Sequence, residues 1–358
     1  MFPFYLILIS SYILALLARV TKKNSGYSNL YFYAFVTIFM ALFSGLRWGI
    51  GDTPDYVHLY GLIGPGYDSN GGYEEGFILL LRCLKSISDN PQLMIGFTGI
   101  VTTTLNLFVI RKYCKDAYVE IAVFIYIASG YFLTTMNGIR QSLAAAILFS
   151  GTVLIIKKKF IPYLILCILV MQIHSSAFVL IPCYFIVRTE AWSKRIYELI
   201  AIFMVGLLLY DPLMNLVFGV LGNTKFSEYK NFNEGGANVL RVLVFLVPVI
   251  LSFIKREELK RKWKYSDIFI NMSLLSSLVM GFSLYNWIFS RFTIYFMPYT
   301  FILLAYEIKN CFKDAERRLF YYGVIVCYFI FFIYEYQISL NMVYTTKINF
   351  KNFFYINR

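Results

Sequence analysis

"FPFYLILISSYILALLARVTKKNS", residues 2–25, decides the fold. Residues 2–18 form one apolar run of about the length a helix needs to cross a hydrocarbon layer. Arg19, Lys22 and Lys23 follow it, and no basic residue precedes it. That asymmetry marks a retained span with its N-terminus outside, not a cleaved signal peptide. The same unit recurs along the chain. Apolar runs at 30–46, 92–110, 118–135, 139–156, 160–173, 175–187, 196–213, 238–254, 266–284, 290–306 and 319–335 bring the expectation to about twelve transmembrane helices. The fold class is therefore all-α, a polytopic membrane protein forming one integral membrane domain over 1–358. A glycosyltransferase C-like membrane fold is one form open to it.

Composition agrees. Of 358 residues, 59% are hydrophobic and 15% charged, more apolar surface than a soluble domain can bury. The formal charge of +13 raises nucleic acid as a partner, and its distribution dismisses it. The basic residues sit in short loops between apolar runs, as the positive-inside rule requires, and no nucleic-acid-binding motif accompanies them. The six cysteines show no CxxC pair and no histidine cluster, so they read as packing residues. No metal site and no cofactor is expected.

The basic loops set the topology. "RVTKKNS", "RKYCKD", "IKKKF", "VRTEAWSKR", "KREELKRKWK" and "KNCFKDAERR" all lie in the cytoplasm if 160–187 crosses twice, as two short helices broken around Gln172–Ser176. The outer face then carries two long stretches. The first, 47–91, contains "YEEGFILLLRCLKSI", whose apolar positions 77, 80, 81, 84 and 87 recur at helical spacing. Too short and too charged to span, it is read as an interfacial helix. The second, 214–237, ends in "KFSEYKNFNEGGAN", a flexible polar loop; the tail 336–358 is given no role.

Polar residues near the outer span ends carry the functional signal. Arg47, Arg140 and Arg291 all fall on the side that positive-inside statistics disfavour. In "TMNGIRQSLAAAILFSG" (135–151), Asn137, Arg140 and Gln141 stand at i, i+3 and i+4 and share a helix face. A helix N-terminus beside an arginine favours an anion. The alternative is an arginine that merely reaches to the headgroups. In "SGLRWGIGDTPDYVHLY" (44–60), Asp52 and Asp55 follow a glycine-rich turn that allows close approach by a ligand. Asp52, and Glu75 at the start of the interfacial helix, are candidate general bases; solvated carboxylates or partners of Arg47 are the alternative. His174, in "VMQIHSSAF" (170–178), sits at the proposed break. It is either a proton-transfer group or a brace for backbone groups freed there. His58 reads as interfacial.

At these residues the chain resembles the EpsG-type family of bacterial polysaccharide polymerases, related in role to Wzy O-antigen polymerases. The resemblance rests on Arg47, Gly51, Asp52, Thr53 and Tyr56; on Glu75, Gly76 and Phe77; on Arg140 and Gln141 in "IRQSLA"; on His174, Ser176 and Ala177 in "IHSSAFVLIP"; and on Arg291 and Tyr295 in "SRFTIYF". It implies a membrane glycosyltransferase at the outer face of the bacterial cytoplasmic membrane. The growing glycan would pass from undecaprenyl diphosphate to a hydroxyl of the next lipid-linked unit, destined for O-antigen, capsule or exopolysaccharide. Arg47, Arg140 and Arg291 would bind the diphosphate. Asp52, Glu75 or His174 would take the hydroxyl proton, and Tyr56, Asn137, Gln141 and Tyr295 would contact the glycan. A flippase and a chain-length regulator of the same pathway are the implied protein partners. Two rival readings are a flippase of the lipid-linked unit, which would show internally repeated halves, and a membrane acyltransferase, which needs a cytoplasmic donor site. A scaffold without chemistry is the third.

Overall fold

The computed structural model describes residues 1–22, 26–64, 67, 72–221 and 235–346. All regular elements among them are helices: α1 (Phe2–Val20), α2 (Leu30–Gly45), α3 (Thr53–Leu62), α4 (Glu75–Lys85), α5 (Gln92–Tyr113) and α6 (Val119–Ala128) come first. Next come α7 (Tyr131–Asn137), α8 (Ile139–Ser150), α9 (Thr152–Ile156), α10 (Phe160–Met171), a 3₁₀ turn at Ser175–Val179, α11 (Leu180–Ile186), α12 (Lys194–Leu208) and α13 (Tyr210–Leu221). The last are α14 (Val239–Ile254), α15 (Arg256–Lys262), α16 (Ser266–Phe282), a 3₁₀ segment at Trp287–Tyr295, α17 (Met297–Asn310), α18 (Asp314–Ile333) and a π turn at Tyr334–Ser339.

Every apolar run of the sequence is helical, but the runs are not alike. Four stretches are long and apolar enough to cross a membrane alone: Phe2–Val20, Gln92–Tyr113, Ile139–Ile156 and Asp314–Ser339. Three bent pairs raise the number to seven when each counts as one span. One of them breaks between α6 and α7, where Gly130 takes a φ of +82°. The other apolar helices, among them α10 and Ser175–Ile186 on either side of the expected break, are shorter. Apolar side chains exposed along α1, such as Leu6, Ile9 and Ile13, suit contact with lipid rather than water.

Helix directions sort the charges into two ends. α5, 22 residues and ~33 Å long, begins at Gln92, whose amide donates to Gly45 O at 2.7 Å, and ends near Arg111, which donates to Ser28 O at 2.7 Å. The α8–α9 pair likewise starts beside Arg140 and ends at Lys157–Lys159. At the lysine-rich end the loops join one another, through Asn310 to Asp116 O at 2.8 Å, Arg19 to Glu120 at 2.8 Å and Lys260 to Glu190. The polar residues singled out from sequence gather at the opposite end.

The 47–91 stretch holds two helices rather than one. α4 forms as the spacing predicts and buries Phe77, Ile78, Leu81 and Leu84. α3 was not expected, although Pro54 in its first turn suits a helix start. The two share a small apolar core with Met94 and Ile95, and Lys85 Nζ donates to Tyr60 O at 2.8 Å. Most of "KFSEYKNFNEGGAN" (225–238) lies outside the described residues, as do 222–224 and 347–358. The tail before that point returns to the 44–52 loop. Trp48 and Thr345 pair as an isolated β-bridge, with Trp48 N donating to Thr345 O at 2.7 Å, and Tyr344 OH donates to Phe43 O at 2.8 Å.

Candidate functional site

The site is built where α4 docks on the break before Ser175. Phe77 N donates to Gln172 O at 3.0 Å, and a Cβ at Gly76 would stand 2.7 Å from that same oxygen. Only glycine lets the two backbones approach this closely. The docking carries Glu74 to the break, where Oε1 accepts from Ser175 N at 2.9 Å and Oε2 accepts from Arg140 Nη1. Arg140 Nε points at Tyr56 OH at 3.5 Å, and the guanidinium lies 4.6 Å from the Tyr73 ring centre and 5.6 Å from that of Phe77. The arginine is thus held on three sides, by a carboxylate, a phenol and two rings.

From the break a polar chain continues inward. His174 Nδ1 lies 2.7 Å from Ser176 Oγ and accepts from Ser176 N at 3.3 Å. Ser176 Oγ lies 2.8 Å from Tyr295 OH and accepts from Gln141 Nε2 at 3.3 Å; Gln141 also donates to Arg291 O at 3.1 Å. Nδ1, already accepting from the Ser176 amide, also takes the one proton the serine hydroxyl has to give. The neutral ring then carries its own proton on Nε2. Burial, together with Arg140 and Arg291 against the opposing pull of Glu74, pushes the His174 pKa down to about 4. Burial alone would raise the Glu74 carboxyl, but the Ser175 amide and Arg140 outweigh it and hold it below its usual value. Burial also raises the Tyr56 phenol, despite Arg140 beside it.

Beside this chain lies a cavity of about 250 Å³, lined by Asn137, Arg241, Trp287, Arg291 and Glu335 among others. The exposed Arg291 guanidinium lies 4.6 Å from the Trp287 ring centre and has no carboxylate partner among the described residues. Asn137 Oδ1 accepts from Asp52 N at 2.8 Å, and a Cβ at Gly51 would stand 1.9 Å from that oxygen, so the glycine-rich turn fits against α7. Asp52 is half-buried beside Tyr56, and its carboxylate accepts no hydrogen bond among the described residues.

Two sequence assignments are corrected. Arg47 does not line the cavity: it is 0% exposed and donates Nε to Met136 O at 3.0 Å and Nη1 to Ser44 O. It fastens the end of α2 to α7, out of reach of a substrate. Glu75 is exposed, and Glu74 takes the place toward Arg140. The helical face explains this, because 74, 77, 78 and 81 fall together while 75 turns away. Arg140, Gln141, His174, Tyr56 and Tyr295 do come together, with the Arg291 carbonyl closing the group, and Asp52 and Asn137 meet next to them. Sequence spacing missed the Arg241–Glu335 pair, bidentate at 2.6 and 2.7 Å. The available signal was a lone charge of each sign inside an apolar run.

No curated protein and no solved structure matches the chain. A family model does match, over residues 30–352, a range that holds every residue of the site, and the chain belongs to the EpsG family.

Proposed function

We propose that this membrane protein polymerises lipid-linked oligosaccharide repeat units, moving the growing glycan from undecaprenyl diphosphate to a hydroxyl of the next lipid-linked unit. The carrying observation is the convergence of Asp52, Arg140, His174 and Arg291 at the helix ends opposite the lysine-rich loops. Under the positive-inside rule that end faces outward, where flipped units await transfer. The polysaccharide-polymerase character of the EpsG family supports the same reading.

In the reaction the bond from the sugar anomeric carbon to the diphosphate oxygen breaks, and a bond from that carbon to the acceptor oxygen forms. The leaving diphosphate gains negative charge, and Arg291, the arginine not already facing a carboxylate, stabilises it. The acceptor hydroxyl must lose its proton. Glu74 is engaged by Arg140 and Ser175, so Asp52 is the carboxylate that can receive it. His174, neutral and oriented by Ser176, presents an Nε2–H donor to a sugar oxygen.

A deletion strain tests this by the glycan on its surface. Single repeat units capping the lipid are the expected result. Absent units would mean a flippase, and full chains lacking an acyl group an acyltransferase; either would overturn the proposal.

A further inference from the structure

The cavity beside Arg291 shares a lining residue with a groove between two helices. α14 packs against α16 and α17, and α18 against α6 and α17. Between α14 and α18 runs a groove of about 330 Å³, walled by Val244 and Val247 on one side and by Gly323, Val324, Cys327 and Phe331 on the other. Phe331 also lines the cavity, so groove and cavity share a wall. At that junction the helices are pinned. Arg241 of α14 grips Glu335 beyond α18 through two hydrogen bonds of 2.6 and 2.7 Å, and Asn238 donates to Tyr334 OH. Below the pins no hydrogen bond or ion pair joins the two helices among the described residues.

A groove with hydrocarbon walls that adjoins a cavity holding a cation has the form of a lipid seat. The adjoining cavity is polar, with an arginine over a tryptophan ring, which fits an anionic head carrying a sugar. A bulk phospholipid would use the apolar walls but not this cavity. We infer that the groove between α14 and α18 seats the polyprenyl chain of a lipid-linked glycan, with its diphosphate reaching Arg291. This rests on the polymerase reading above, and it adds the route by which the lipid substrate enters.

Two cysteines and one glycine make it testable in membranes holding the full-length protein. Cys327 in the groove and Cys83 on α4 are both exposed free thiols. A synthetic polyprenyl diphosphate disaccharide should abolish alkylation of Cys327 by a membrane-soluble maleimide and leave Cys83 reactive. Gly323 lines the groove and a Cβ there meets nothing within 4 Å, so Gly323→Phe sets a ring at the groove from an unobstructed Cβ. It should reduce surface glycan to single units at normal protein abundance. Unprotected Cys327, or equal protection by dioleoyl phosphatidylglycerol, overturns the inference even if Gly323→Phe proves unstable. The deletion-strain glycan is independent of both. Single units there with Cys327 unprotected would remove the groove and leave the polymerase standing.

Discussion

Arg140 and Arg291 sit within one site yet meet different partners, Glu74 for the first and the Trp287 face for the second. Lysine substitution separates their work. A planar fork on two diphosphate oxygens is a geometry lysine cannot copy. Arg291→Lys should leave protein abundance unchanged and cut polymerisation by a factor on the order of 10²–10³, about 3–4 kcal/mol. The surface glycan then collapses to one or a few repeats, read by a length profile beside an immunoblot. Arg140→Ala instead strands the Glu74 carboxylate, whose side chain is 15% exposed, and should lower stability by about 3 kcal/mol. Adding Glu74→Gln should restore much of the abundance, since the amide needs no cation. His174 supplies a pH test. Its folded pKa of about 4 lies below the ordinary 6.5, so the unfolded chain binds the extra proton. The sign follows: this stabilisation is full above pH ~6.5 and is lost as pH falls toward ~4, up to about 3 kcal/mol. Thermal melts of detergent-solubilised protein should fall over that window, and His174→Gln should flatten the fall. A melt independent of pH in the wild type would show that the ring is not held neutral.

At the scale of elements, the site depends on how α4 meets the break at Gln172–Ser175. Gly76→Ala forces a methyl within 2.7 Å of the Gln172 oxygen and should lift Glu74 away from Ser175 and Arg140. Polymerisation should be lost while the helices, and hence abundance, largely persist. Gly61→Ala in α3, where a Cβ meets nothing within 4 Å, is the matched control and should gain up to about 1 kcal/mol. Helix existence at this scale was legible, because apolar spacing reports a buried face, and α4 follows it from Phe77 to Leu84. The Glu74–Glu75 doublet was misread although the same spacing resolves it: the acid three residues before Phe77 shares its face. α3 was hidden because its short, mixed-polarity sequence has little apolar period.

Across the whole molecule, the division into a lysine-rich end and a site end was written in the loops, since each loop's charge is local information. Which helices would be neighbours was not. Arg241 and Glu335 stand 94 positions apart, and each apolar run looks equally ready to face lipid or protein. Arg47 was misplaced for the same reason: sequence locates it at a span end, and only packing shows it closed in beneath Met136. The bridge between Trp48 and Thr345 has a consequence for how the protein is made. A chain inserted from its N-terminus has every described helix synthesised before residue 345 leaves the ribosome. The loop that carries Asp52 receives its last hydrogen bonds from residues translated almost three hundred positions later. A nascent or stalled copy, though already embedded in the bilayer, therefore lacks a finished wall for its site. Emergence of Thr345 is what finishes it.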